Sequence, residues 1–183
     1  VTGEIVDDRE ELKRILKERS VLRGDFTLVS GRKSSYYING KMTTLNARGL
    51  YLGAKLLLDR FEGLEYGGFA GPTIGADPII GALLTLCAQR GLEREGLLIR
   101  KEPKGHGTKS LIEGHLTDGM RVILLEDVAT TGGSLLKAAE AIKNEGGTVV
   151  GIYTIIDREE GAAENISKAG YTFSSLFTVR ELL

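Results

Sequence analysis

Apolar positions along this chain fall into two alternating periods, and that alternation predicts the architecture. Leu12, Ile15 and Leu16 share one helical face. Asp8 and Glu11 ahead of them have the spacing of a capping box. Two strand-like pieces follow at residues 26–29 and 36–39, separated by Ser30-Gly31-Arg32-Lys33-Ser34-Ser35, so a hairpin is expected. Over residues 47–61, Leu50, Ala54, Leu57, Leu58 and Phe61 form one stripe of a helix. A strand at 66–70 ends on Gly71-Pro72, and a mostly apolar helix spans 77–89. Residues 97–100 read as a strand, and the polar, glycine-rich stretch 101–110 as a loop. Val122 to Leu125 are continuously apolar, which suits a strand buried on both faces. Leu135, Ala138, Ala139 and Ile142 then repeat at helical spacing. A β-branched strand over 148–156, a helix over 160–169 and a strand over 171–179 complete the pattern.

Strands alternating with helices predict an α/β fold with a mainly parallel central sheet flanked by helices. The whole chain, 1–183, reads as one domain. Residues 1–45 hold the first helix and the hairpin, which lie outside the alternation and are assigned to a small N-terminal hood. Residues 46–183 form the α/β core. Ligands of such sheets bind beyond the carboxyl ends of the strands. That rule should gather Arg100, Glu126, Asp127, Asp157 and Arg158 at one edge.

Composition narrows the class without naming an activity. The 183 residues are 42% hydrophobic and 27% charged, an ordinary globular balance. A net charge of −1 gives no global field for nucleic acid. No apolar run approaches membrane-spanning length and no signal peptide is evident, so a cytoplasmic protein without membrane or nucleic-acid partners is expected. The single cysteine, Cys87, lies in an apolar helical pattern and reads as a buried structural thiol.

Candidate chemistry concentrates in residues 122–134. Two carboxylates, Glu126 and Asp127, stand where the apolar strand is expected to end, and Thr130-Thr131-Gly132-Gly133-Ser134 leads into the next helix. A strand, a small-residue loop and a helix N-terminus make an anion site, because free N–H groups and the helix dipole face the ligand. The carboxylates call for a different partner, such as sugar hydroxyls or a cation. A ligand carrying both phosphate and ribose satisfies both halves. The segment is not a Walker A loop, and Gly105 and Gly107 lack the third glycine of a dinucleotide fingerprint because Ser110 stands there. A second concentration is Arg100 to Lys109, with four cations and His106 against one acid. Most charge runs are solvated loops. Beside a phosphate site, this one is expected to act as a mobile lid closing on a polyanion.

These segments resemble a known family. Residues 122–134 are similar to the phosphoribosyl pyrophosphate (PRPP) motif of type I phosphoribosyltransferases. The resemblance implies that Glu126 and Asp127 meet the ribose hydroxyls, and that Val128, Ala129, Thr130, Thr131, Gly132, Gly133 and Ser134 belong to the PRPP-binding segment. Arg100, Lys101, Lys104, His106 and Gly107 match the Arg-Lys-x-x-Lys-x-His-Gly loop of orotate phosphoribosyltransferases. That match implies PRPP contacts for Arg100, Lys101, Lys104 and His106, and catalytic roles for Lys101, Lys104, His106 and Asp127. Residues 24–37 resemble the orotate-pocket pattern of the same enzymes. They implicate Tyr36 and Tyr37, with Thr130 and Arg158 completing the base site. Two lysines common in these enzymes are absent, with Val29 and Gly75 in their places. Strand alternation would put Tyr37, Asn39 and Lys41 on one face, which makes Lys41 the candidate cation for the orotate carboxylate, with Lys33 as its rival. The resemblance implies transfer of phosphoribose from PRPP to orotate, giving orotidine 5′-monophosphate and pyrophosphate. Mg²⁺ would be held mainly by PRPP with no metal ligands from side chains, and a homodimer would share its active sites. Transfer to another base, or a non-catalytic nucleotide-binding regulator of the same fold, are the competing expectations.

Overall fold

The computed structural model describes residues 7–27, 31, 33–102 and 110–183. Helix α1 spans Asp8–Arg19, and its N-cap is Asp7, whose side chain accepts from the Arg9 N–H at 3.3 Å. The cap therefore falls one residue before the position expected from spacing. Asp8 and Glu11 are instead engaged by Lys55 and Arg48. The hairpin consists of β1 (Val21–Thr27) and β2 (Lys33–Ile38), paired antiparallel. Its first strand starts five residues earlier than periodicity suggested; Leu28 to Ser30, assigned to it or its turn, lie outside the described residues. A short helix α2 (Lys41–Thr44) intervenes before α3 (Ala47–Arg60), which Asn46 caps through the Gly49 N–H.

The core then alternates as its pattern predicts. It runs β3 (Gly68–Pro72), α4 (Asp77–Gln89), β4 (Glu95–Ile99), β5 (Ile112–Glu113), β6 (Arg121–Ala129), α5 (Gly133–Asn144), β7 (Thr148–Asp157), α6 (Ala162–Lys168), β8 (Phe173–Thr178) and α7 (Val179–Leu182). The two-residue β5 and the terminal α7 are too short for a periodic signal. One boundary carries functional weight: β6 does not stop before the acids but continues through Glu126 and Asp127 to Ala129.

The sheet order is β5-β4-β3-β6-β7-β8, parallel throughout except for the β4–β5 edge. Chain order runs outward in one direction from β3 to β4 and in the other from β6 to β8. The reversal between β3 and β6 opens a crevice at their carboxyl ends, the usual ligand position in such sheets. Two apolar layers cover the sheet. Ile123, Leu125, Phe69 and Ile155 pack with α3 and α4 on one face. Val122, Leu124, Leu97 and Ile152 pack with α5 and α6 on the other. Helix α1, assigned from sequence to the small N-terminal hood, joins the first layer: Leu12 and Leu16 are fully buried there beside Leu52 and Leu57. Among the described residues, only the hairpin forms a separate sheet. Cys87 is buried in the same layer as a free thiol.

Candidate active site

Because side chains alternate along a strand, the two acids of β6 face opposite ways. Glu126 continues the series Val122, Leu124 toward α5, where the Ser134 hydroxyl donates to its Oε2 at 2.7 Å. Asp127 continues Ile123, Leu125 toward α2 and the loop after β3. Burial raises the Glu126 carboxyl to about 7; Asp127 adds to that rise, while Ser134, Lys41 and Lys101 oppose it. Asp127 is 4% exposed. Its Oδ1 accepts from the Val128 N–H at 2.9 Å, and Lys41 Nζ lies 3.3 Å from its Oδ2.

Two glycines grip that carboxylate. A Cβ on Gly75 would sit 2.5 Å from Asp127 Oδ1, and one on Gly40 would sit 2.8 Å from Oδ2 and 2.7 Å from Val128 Cγ2. In this arrangement position 75 holds no side chain unless Asp127 moves. Gly40 was not singled out from sequence; a lone glycine after a strand signals a turn and says nothing of what lies above it.

The loop Thr130 to Ser134 joins β6 to α5. Gly132 caps the helix with φ +79°, a left-handed conformation that favours glycine, and a Cβ there would meet Ile166 Cγ1 at 3.0 Å. Asn165 Nδ2 donates to Thr131 O at 2.9 Å and steadies the loop. No side chain caps the helix, so its first N–H groups remain for an anion. Thr130, Thr131, Gly133 and Ser134 line a cleft of about 1160 Å³, which Glu126 and Lys41 also border. The loop after β3 forms its other wall, with Thr73 and Ile74 as lining residues that are not among the sequence-based site candidates. Asp127 is not among the lining residues; it lies behind the wall.

The base-site candidates divide. Arg158 follows β7, its N–H donating to Ala129 O at 2.9 Å. Its side chain is 8% exposed, with the guanidinium 5.8 Å from the Tyr36 ring centroid. Nη2 approaches Glu160 Oε1 at 2.8 Å without hydrogen-bond alignment, and Nε has no hydrogen-bond partner among the described residues. A buried guanidinium with spare donors suits a ligand carbonyl or carboxylate. Tyr37 takes the opposite face of β2 and packs near Phe26, centroids 5.8 Å apart, so the two tyrosines do not converge. Lys41 does not share the Tyr37 face as strand alternation would require. The strand ends at Ile38, and Lys41 opens α2.

Arg100 and Lys101 both border the cleft. Arg100 Nη1 lies 3.3 Å from Glu113 Oε1, and its Nε donates to Glu102 O. Lys104 and His106, with residues 103–109 of the expected Arg100–Lys109 lid, lie outside the described residues, as does Val29. Among the described residues no group of three His, Cys, Asp or Glu side chains is placed to hold a metal ion. Likewise, no helix among them is long and apolar enough to cross a membrane.

Comparison with known proteins converges on one family. A family model described as a phosphoribosyl transferase domain matches residues 92–176. The chain is 45% identical over 177 residues to orotate phosphoribosyltransferase of Pyrococcus abyssi, covering 95% of this chain and 94% of that protein. Among solved structures, orotate phosphoribosyltransferase of Mycobacterium tuberculosis in complex with Fe(III) dicitrate superposes with a TM-score of 0.85 at 37% identity, covering 96% of this chain and 99% of that one. The same enzyme in complex with PRPP gives a TM-score of 0.81 at 35% identity, with coverage of 96% and 99%.

Proposed function

The chain belongs to the orotate phosphoribosyltransferase family, and on that premise we propose that the cleft between β3 and β6 carries out the transfer of phosphoribose from PRPP to orotate, a step of pyrimidine biosynthesis. One observation carries the assignment of reactants to places. The Glu126–Asp127 pair and the uncapped N-terminus of α5 meet at the sheet's switch point, with the spare donors of Arg158 one strand away. A 5-phosphate at the Thr130 to Ser134 loop places the attached ribose over Glu126 and Asp127. The base then falls toward Thr130, Tyr36 and Arg158.

Ribosyl transfer passes through an oxocarbenium-like centre as pyrophosphate leaves, so the protein must hold both reactants and neutralise the departing charge. No side-chain nucleophile is needed, because orotate supplies its own nitrogen. Glu126 and Asp127 orient the ribose and stabilise its developing positive charge. Arg100 and Lys101 border the cleft and meet the pyrophosphate, a role that the family resemblance also gives to Lys104 and His106. Mg²⁺ fits this site as an ion brought in with the substrate. The two carboxylates are oxygen donors on opposite faces of a strand, a pair that suits ribose hydroxyls better than an all-protein cage. When bound, the ion supplies charge neutralisation at the phosphate oxygens. A homodimer that shares its loops between subunits, in a reducing cytoplasm, completes the reading; the free buried thiol of Cys87 accords with it.

Turnover assays with PRPP and Mg²⁺ test the function directly. Orotate should be consumed with release of pyrophosphate, and uracil, adenine, guanine and xanthine should not. Preference for a purine would replace the base assignment. PRPP binding without turnover of any base would favour a regulator.

A further inference from the structure

Asp127 is the reacting-site carboxylate least able to meet a substrate as it stands. Its side chain is 5% exposed, closed in by Gly40 and Gly75, and covered by the Lys41 ammonium. The Lys41 side chain is 46% exposed and borders the cleft. Of the groups around Asp127, the lysine on its flexible four-carbon stem is the one able to move. Ribose hydroxyls reach Asp127 by displacing it, and the displaced cation needs a new anion. The start of α2 rests on the end of β6, since a Gly40 Cβ would touch Val128 Cγ2. Arg158 is bonded to Ala129, the next residue along that strand, and its guanidinium faces Tyr36. Lys41 therefore swings out on the side of the base. The other cations bordering the cleft are placed elsewhere: Arg100 is paired with Glu113, Lys101 adjoins Arg100 beyond β4, and Lys137 projects from α5.

We propose that Lys41 is a specificity-determining cation that exchanges partners during binding, leaving Asp127 when ribose arrives and pairing with the carboxylate of the incoming pyrimidine. The inference rests on the reading of the cleft as the PRPP and orotate site. A carboxylate partly removed from water needs a charged or strongly hydrogen-bonding partner. The exchange provides one where positions 29 and 75 carry no lysine. It also couples the substrates: the base finds its cation free once PRPP has engaged Asp127.

The test compares wild type, Lys41→Met, Lys41→Arg and Lys33→Met. Two quantities are measured: PRPP affinity by calorimetry without orotate, and KM for orotate at saturating PRPP. Lys41→Met should raise the orotate KM about ten- to a hundredfold, the loss of one hydrogen bond to a charged group. Its PRPP affinity should be no weaker, because no ion pair must be broken first; PRPP binding also shows that the variant is folded. Lys41→Arg should recover part of the orotate affinity, and Lys33→Met should leave it unchanged, as Lys33 stands exposed at the start of β2. An orotate KM indifferent to Lys41→Met, or one that follows Lys33 instead, overturns the proposal. So does parallel weakening of PRPP and orotate, which marks a structural or ribose-holding role. A wild-type protein that ignores orotate would reject the underlying assignment instead, a distinct outcome.

Discussion

Glu126 and Asp127 are sequence neighbours with different electrostatic surroundings. Asp127 keeps a cation at 3.3 Å, whereas Glu126 is half-buried beside α5 with a hydroxyl partner and desolvation raises its carboxyl to about 7. A raised carboxyl means that the folded state retains a proton the unfolded chain gives up near 4.5. Between those values the folded state binds more protons, so this group's contribution to stability falls as pH rises through the window. Glu126→Gln imitates the protonated form and removes that fall. In thermal unfolding without ligands, the variant should gain on wild type from pH 5 to pH 8, by on the order of 1–3 kcal/mol. A gap that does not change with pH would show Glu126 ionised in the free protein. The identity of these acids was legible in the sequence. Their opposite orientation follows from alternation only once β6 is known to continue through them.

At the scale of elements, the loop after β3 and the start of α2 set the site's geometry more than their sequences advertise. Gly75 passes over Asp127 with no room for a β-carbon. Gly75→Ala should displace the carboxylate and weaken PRPP binding by tenfold or more. The accompanying loss of stability should be about 1–3 kcal/mol, the usual cost of overpacking, read as a drop of several degrees in Tm. Unchanged calorimetric affinity for PRPP would mean that the loop yields and Asp127 stays. The long helices α3, α4 and α5 were legible because amphipathic periodicity accumulates over a dozen residues. Helix α2, with four residues, has no period to read, so Lys41 was placed on a strand face that does not extend to it.

At the scale of the whole molecule, the reversal of strand order between β3 and β6 puts the Thr130 to Ser134 loop, the acids and Arg158 at one edge. On the proposed reading, cations that neutralise the leaving pyrophosphate are readily supplied across a two-fold interface. Lys104→Ala and Asp127→Asn subunits, each inactive alone, should regain part of the activity when mixed and allowed to exchange. No recovery in a verified heterodimer would assign each site to a single subunit. The sequence by itself determined the α/β alternation, the small-residue loop that leads into α5 and the acids beside it, because these depend on local periodicity and on residue types with few alternative uses. Tertiary structure decided which face each acid takes, that Lys41 covers Asp127, and that α1 belongs to the main core. Those outcomes depend on contacts between segments distant in the chain, such as Gly40 and Gly75 closing on one carboxylate, which no local pattern encodes.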